Sequence, residues 1–127
     1  MADARDAPGR LLDAKARLDR LRWYPRPVRL RGVRLVSAPL AFRLPRLRGF
    51  DGFATWRLIL VRRPLAEVSD DLIVHELCHV WQMQHAPARM PLSYLMRPYA
   101  TNPYERQARA AAALTAAAAR PPAGPGA

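Results

Sequence analysis

The sequence predicts one α+β domain with an N-terminal helix, a short antiparallel sheet and two later helices. Apolar residues recur at helical spacing near the N-terminus, apolar and polar residues alternate in the middle of the chain, and two clear helix starts follow. The 127 residues contain no internal repeat and no long linker, which is typical of a single domain. We expect this domain to span residues 1–120 and the Pro-, Gly- and Ala-rich segment 121–127 to be a disordered tail.

The first predicted element is a helix over residues 10–22. Two oppositely charged pairs four residues apart, Asp13–Arg17 and Lys15–Asp19, support it. Its apolar residues recur at intervals of three or four and form one face, made of Leu11, Ala14, Leu18 and Leu21. We therefore expect a surface helix that packs by that face.

Strand patterns occupy the middle of the chain. Residues 28–35 alternate apolar residues with arginines, and the alternation shifts by one at Gly32, so they predict a strand with a bulge or two short strands. Residues 39–48 and 53–62 flank the sequence GFDG at 49–52, whose glycines mark a turn. These two segments therefore predict a hairpin.

A buried helix is predicted to begin after Ser69, a good N-cap residue that two aspartates follow in the first turn. This helix carries apolar residues on almost every side: Leu72, Ile73, Val74, Leu77, Cys78, Val80, Trp81 and Met83. Its polar residues form a single stripe: His75, Glu76, His79 and Gln82. Because an unpaired buried charge costs several kcal/mol, this stripe needs a partner, and a divalent cation can serve.

The residues from His75 to His79 form an H-E-x-x-H sequence, an arrangement that holds catalytic zinc. Two histidines four residues apart lie on one face of a helix, so both imidazoles can reach one ion. We expect one Zn²⁺ on His75 and His79, with Glu76 as the base that takes a proton from metal-bound water. Hydrogen-bonded core histidines are the alternative. Cys78 points off this line and is expected to be a small buried thiol.

A catalytic zinc site usually has three protein ligands, and two residues are candidates for the third. Glu105 lies near the start of a last helix, which Asn102 begins as N-cap and which runs to about residue 120. Small Ala108, one turn later, would let this helix approach the first two ligands, although Glu105 could instead close a capping box on Asn102. His85 is the alternative ligand, but a continuing helix would point it away from His75.

Other residues are candidates for contacts with a ligand or with a substrate. Gln82 lies on the polar stripe one turn beyond His79, and Asn102 lies at the start of the last helix. Three tyrosines in the second half of the chain are candidates for stabilising an oxyanion or simply for packing: Tyr94, Tyr99 and Tyr104. We expect Tyr99 and Tyr104 to be the better candidates because they flank the last helix start.

The two motifs together resemble a known family. HELCHVWQ at His75–Gln82, followed by NPYERQA at Asn102–Ala108, is similar to the small zinc peptidases of the minimal gluzincin, or minigluzincin, type. Many of these pair H-E-x-x-H-x-x-Q with a downstream N-P-x-E-x-x-A. The resemblance extends from Asp70 to about Ala112.

This resemblance implies a small zincin-like domain, with a sheet beside the H-E-x-x-H helix and a second helix that carries a glutamate. It implies that His75, His79 and Glu105 bind zinc and that Glu76 is the catalytic base. Arg109 stands where classical gluzincins often carry an acidic residue that supports a ligand histidine.

Charge and composition bear on partners and location. The net charge is +11, but Lys15 is the only lysine among 21 basic residues, and the arginines are spread along the chain without a known nucleic-acid motif. We therefore do not expect nucleic acid as the main partner. The polar N-terminus lacks the apolar region of a signal peptide, and no run of about 20 apolar residues could span a membrane. A single cysteine suits a reducing compartment. We therefore expect a soluble, cytoplasmic protein without a membrane span.

The motifs predict a zinc metallopeptidase, expected to be an endopeptidase, that hydrolyses peptide or protein substrates. The first alternative is a zinc-binding regulatory or interaction module whose peptidase activity is lost or highly restricted. The second is a basic nucleic-acid-binding protein.

Overall fold

The computed structural model describes residues 6–119, with side chains through residue 116. This part of the chain contains four α-helices and a three-stranded mixed sheet, so the α+β class is confirmed. The disordered tail predicted for 121–127 lies outside the described residues. None of the described helices is both long enough and apolar enough to cross a membrane.

Helix α1 spans Ala7–Asp19 and begins three residues earlier than predicted. It begins there because the Asp6 carboxylate accepts a hydrogen bond of 2.7 Å from the Gly9 amide and because Pro8 suits a first helical turn. The predicted apolar face is buried at Leu11, Ala14 and Leu18. Lys15 pairs with Asp19 as expected.

The sheet contains β1 (Arg34–Ser37), β2 (Gly52–Ala54) and β3 (Leu58–Val61), in the spatial order β1-β3-β2. Strands β2 and β3 are antiparallel, but β1 runs parallel to β3. The prediction of an antiparallel sheet is therefore wrong for β1. The connection from β1 carries the chain across to the far side of β3, so β2 and not β1 forms the hairpin with β3.

The predicted strand over residues 39–48 is absent, because this segment folds into local turns. The amide of Leu44 donates to the Ala41 carbonyl at 3.2 Å, and that of Arg48 donates to the Leu44 carbonyl at 3.0 Å. Pro39 and Pro45 supply no amide hydrogen to a strand ladder. The side chain of Phe42, only 2% exposed, anchors the segment to the core.

The hairpin exists, but its turn lies at residues 55–57 and not at 49–52. The Thr55 amide donates to the Leu58 carbonyl at 2.8 Å, and the Leu58 amide donates to the Thr55 hydroxyl at 3.0 Å. These bonds close the turn within the predicted strand 53–62. Gly52, predicted as a turn residue, instead begins strand β2.

Residues 28–31 also form no strand. The Val33 amide donates to the Leu30 carbonyl at 2.9 Å, and Gly32 has a φ of 78°. That left-handed conformation favours glycine and reverses the chain in a tight turn. The parity shift at Gly32 therefore marks a turn before β1 and not a bulge within a strand.

Helix α2 spans Asp70–His85 and lies in the middle of the fold, in contact with α1, β2 and the last helix. The hydroxyl of Ser69 accepts a hydrogen bond from the Leu72 amide at 3.1 Å, so the predicted N-cap is confirmed. Cys78 is fully buried, as expected, and burial raises the pKa of its thiol to about 12.

Helices α3 (Arg89–Met96) and α4 (Pro103–Ala119) complete the described fold. The side-chain oxygen of Asn102 accepts a hydrogen bond of 2.8 Å from the Tyr104 amide and caps α4, as predicted. Ala108 and Ala111 are fully buried. Small side chains on α4 allow close approach of α2, and this fixes the distance between the functional groups of the two helices.

Arg17 connects three helices through its guanidinium. It donates hydrogen bonds to the Asp71 carboxylate on α2 at 2.9 Å and, on α4, to the Thr115 hydroxyl at 2.9 Å and the Ala112 carbonyl at 3.0 Å. The side chain is nearly fully buried, so each donor needs a protein partner. Arg17 therefore fixes α4 against α1 and the start of α2.

We predict that Arg17→Met lowers the free energy of unfolding by about 1–3 kcal/mol, because it leaves the buried Thr115 hydroxyl and Ala112 carbonyl without this donor. Arg20→Met, at an exposed position just after α1, removes the same charge and is the control; it should change stability by about 0.5 kcal/mol or less. Urea unfolding measures both. Equal effects of the two substitutions would contradict the role of Arg17.

Candidate metal centre

Three side chains from two helices converge on one point. His75 and His79 lie one turn apart on α2, with ring centroids 4.9 Å apart. Glu105, in the first turn of α4, faces both, and its carboxylate oxygens lie 2.8 Å from Nε2 of His75 and 3.0 Å from Nε2 of His79. One ligand atom from each residue lies within 4.8 Å of the others. This spacing allows one metal ion to bind all three.

The side chain of Glu105 is 1% exposed. Burial favours its neutral form, but hydrogen bonds from His75 and His79 outweigh that effect and hold the pKa of Glu105 well below its ordinary value. The Asn102 amide donates to the Tyr99 carbonyl at 3.3 Å, so Glu105 does not close the capping box that was the alternative. A buried, ionised carboxylate therefore faces two imidazoles.

His85, the alternative third ligand, does not join this cluster. Helix α2 continues through it, and its Nδ1 donates to the Trp81 carbonyl at 3.1 Å. Its ring stacks on Tyr24 with centroids 4.6 Å apart. The continuing helix therefore directs His85 away from the cluster, as expected from the sequence.

Gln82 determines which nitrogen of His79 faces Glu105. Its side-chain nitrogen donates to the Tyr104 carbonyl at 2.9 Å and to the side-chain oxygen of Gln107 at 2.8 Å. Since a backbone carbonyl only accepts, the Gln82 oxygen must be the atom that lies 2.9 Å from Nδ1 of His79. Nδ1 therefore carries a hydrogen, and Nε2 is the nitrogen left to bind a metal.

The hydrogen-bonded chain behind His79 continues to the N-terminal part of the protein. The side-chain oxygen of Gln107 also accepts a hydrogen bond of 2.9 Å from the Tyr24 hydroxyl. Neither Gln107 nor Tyr24 was among the predicted site residues. Tyr24 is far away in sequence and carries no motif, whereas Gln107 lies in the NPYERQA segment and could have been considered.

The protonation of His79 depends on this environment. Burial alone would lower its pKa, but the hydrogen bonds to Glu105 and Gln82 and the nearby Glu76 outweigh burial and raise the pKa of His79. Without a metal, the second proton of His79 therefore lies between Nε2 and the Glu105 carboxylate. A metal ion that binds here has to displace that proton.

Two tyrosines and one arginine complete the surroundings of Glu105. The hydroxyls of Tyr99 and Tyr94 donate to its carboxylate at 2.8 Å and 3.2 Å, and burial together with that carboxylate raises the pKa of both phenols. Nε of Arg109 lies 3.6 Å from Glu105, and its guanidinium lies over the Tyr99 ring at 5.6 Å from the ring centroid. Arg109 thus lies against the candidate ligand carboxylate itself.

The remaining predicted residues lie behind the cluster. Asn102 is fully buried; besides capping α4, its side-chain nitrogen donates to the Ser93 hydroxyl at 2.9 Å. Tyr104 contributes its backbone carbonyl to Gln82. Both residues therefore help to hold α4 in place, and their described polar contacts involve neither histidine.

Glu76 lies beside the cluster, in the wall of an open cleft of about 740 Å³. Its side chain is almost fully buried, and burial raises its pKa, which His79 and His75 oppose only in part. A Cβ atom at Gly52 would lie 3.1 Å from the Glu76 side chain. A side chain at residue 52 would therefore crowd Glu76, whereas glycine leaves room for strand β2 to lie close to it.

We predict that Gln82→Met weakens zinc binding by about 10- to 100-fold, because it removes the acceptor that holds Nδ1 of His79. Gln84→Met is the matched control on the same helix, since Gln84 bonds to the backbone of Arg29 and not to the cluster. Competition with a zinc-sensitive chelating dye measures both affinities. Unchanged affinity in Gln82→Met would contradict the role of Gln82.

No protein-family model, curated protein or solved structure matches this chain. The sequence motifs and the geometry of the site therefore bear on its function. That geometry is a buried His-His-Glu cluster with one tautomer fixed by Gln82, beside a buried glutamate at the edge of a cleft.

Proposed function

We propose that this protein is a zinc-dependent peptidase, with His75, His79 and Glu105 as the metal ligands and Glu76 as the catalytic base. The observation that carries the proposal is the hydrogen-bonded orientation of Gln82, which leaves Nε2 of His79 as the ligand nitrogen opposite the Glu105 carboxylate. Two imidazoles and one carboxylate are the ligands of many catalytic zinc sites. The donors, their spacing and the fixed tautomer all fit zinc.

When bound, zinc would polarise the scissile carbonyl group and lower the pKa of a water molecule. Glu76 would take the proton of the attacking water and deliver it to the leaving amine. Its raised pKa supports this role, because a carboxyl group must both accept and release that proton. Tyr99 lines the cleft, and we assign to it the developing oxyanion; its single hydroxyl hydrogen, which bonds to Glu105 at 2.8 Å, would turn to the oxyanion in that step.

The free edge of β2 supports a peptide substrate. The Arg62 amide donates to the Asp51 carbonyl, and the Thr55 amide donates to the Leu58 carbonyl. Because bonding to the partner strand alternates along an antiparallel ladder, the backbone groups of Gly52 and Ala54 point away from β3. Within the described residues, β2 is an edge strand, so an extended peptide could pair with it beside Glu76.

Pairing with an edge strand requires no free end of the substrate, and for this reason we propose an endopeptidase. Main-chain hydrogen bonds to Gly52 and Ala54 would place a bond in the middle of an extended chain beside the cluster. Phe50 and Arg109 also line the cleft, so a bound substrate would contact them.

We predict that Glu76→Gln keeps zinc binding and loses about 10²- to 10⁴-fold in the rate of cleavage of an unfolded polypeptide. Glu105→Gln should instead weaken zinc binding, and by more than the roughly 10- to 100-fold expected for a supporting residue. Glu67→Gln, at the exposed glutamate before α2, is the matched control and should change neither property. Metal analysis and a fluorogenic protein substrate measure the two effects.

Undiminished cleavage in Glu76→Gln would contradict its role as the base. Full zinc affinity in Glu105→Gln would contradict the ligand assignment. Wild-type protein that holds one zinc ion and cleaves no polypeptide would favour a zinc-binding regulatory module.

A further inference from the structure

A second pocket, of about 670 Å³, lies where the loop before β1, the β2–β3 turn and the end of α2 meet. Three arginines line it, namely Arg29, Arg31 and Arg57, together with Trp56. No acidic residue is among the described residues that line this pocket, and it has no lining residue in common with the metal cleft. We call it the arginine pocket.

The walls of the arginine pocket are held in place by bonds between distant segments. The side chain of Gln84 on α2 donates to the Arg29 carbonyl at 2.7 Å and accepts from the Arg29 amide at 3.0 Å. The indole N–H of Trp56 donates to the Pro87 carbonyl at 2.8 Å. Trp56 is therefore fixed in position although 52% of it is exposed.

Arg29, Arg31 and Arg57 are exposed, and none of them forms an ion pair with an acidic side chain in the part of the chain that the structure describes. Other arginines of this protein do pair, as Arg17 does with Asp71. Three unpaired positive charges around one concavity repel each other and attract an anion. Guanidinium groups bind phosphate with two parallel hydrogen bonds, so phosphate is the anion that this chemistry suits best.

Trp56 adds a flat aromatic surface to this anion site. An indole ring that is half exposed and fixed at its nitrogen can stack on a planar ring of a ligand. A volume of about 670 Å³ is within the range of small-molecule sites. Phosphate groups and a planar ring occur together in a nucleotide.

We propose that the arginine pocket binds a phosphate-bearing nucleotide, either free or as a unit of single-stranded nucleic acid. The guanidinium groups of Arg29, Arg31 and Arg57 hold the phosphates, and Trp56 stacks on the base. This site is separate from the metal cleft, so it does not depend on the proposed peptidase activity.

The test must separate this pocket from the general positive charge of the chain. The protein of 127 residues is titrated into a fluorescein-labelled single-stranded oligothymidylate, with ATP and inorganic pyrophosphate as unlabelled competitors. One variant changes Arg29, Arg31 and Arg57 to Gln. The matched control changes Arg43, Arg46 and Arg48 to Gln; these arginines are exposed, lie outside the pocket and carry the same total charge.

We expect the pocket variant to lose about tenfold or more in affinity while the control stays close to wild type. Trp56→Leu should weaken binding of the oligonucleotide and of ATP, but not of pyrophosphate. Trp56→Phe should retain most of the affinity for the oligonucleotide and for ATP. If ATP competes with the oligonucleotide, a free nucleotide is sufficient for binding. If only the oligonucleotide binds, the ligand is single-stranded nucleic acid.

Three outcomes would overturn the proposal. They are no binding by the wild type, an equal loss in both triple variants, and an equal effect of Trp56→Leu on ATP and on pyrophosphate. Circular dichroism of each variant verifies that it is folded, so a loss of binding in the pocket variant cannot be attributed to unfolding.

Discussion

The burial of the Glu105 carboxylate between two helices is the constraint on which the rest of this structure depends. A buried, ionised carboxylate needs several hydrogen-bond donors, because its hydration is lost. His75, His79, Tyr94 and Tyr99 supply them from α2, from α3 and from the turn before α4. The N-cap at Asn102 sets where α4 begins, and fully buried Ala108 lets it approach α2. Helices α2 and α3 and the turn before α4 thus all supply hydrogen bonds to one carboxylate on α4.

Two glutamates next to each other in space have opposite environments, and this difference divides the chemistry between them. Glu105 receives hydrogen bonds from two imidazoles, which lower its pKa, so it suits a metal ligand. Glu76 is buried with less compensation, which raises its pKa, so it suits proton transfer. Gly52 leaves room for β2 to lie close to Glu76, and Gly52 and both glutamates line the same cleft.

The sequence predicts the helical half of the site well, because its signals are local. The spacing of His75 and His79 and the caps at Ser69 and Asn102 depend on a few neighbouring residues, and the fold agrees with each. Glu105 lies on a separate helix, and the downstream motif was the signal for its place beside the two histidines. The sheet was predicted less well, since the choice between turns at 49–52 and 55–57 depends on where β3 packs. The parallel pairing of β1 and the contact from Tyr24 to Gln107 join distant segments, which no local pattern reveals.

The ligand set is the central claim, and X-ray absorption at the zinc K edge of the zinc-loaded protein tests it most directly. The account predicts two imidazole nitrogens and carboxylate oxygen at about 2.0–2.2 Å from zinc, without sulfur. His85→Ala should leave that spectrum unchanged, because His85 stacks on Tyr24 at the end of α2. Two results would contradict the assignment of Glu105. One is a third imidazole on zinc that disappears in His85→Ala, and the other is the Cys78 sulfur at about 2.3 Å from zinc.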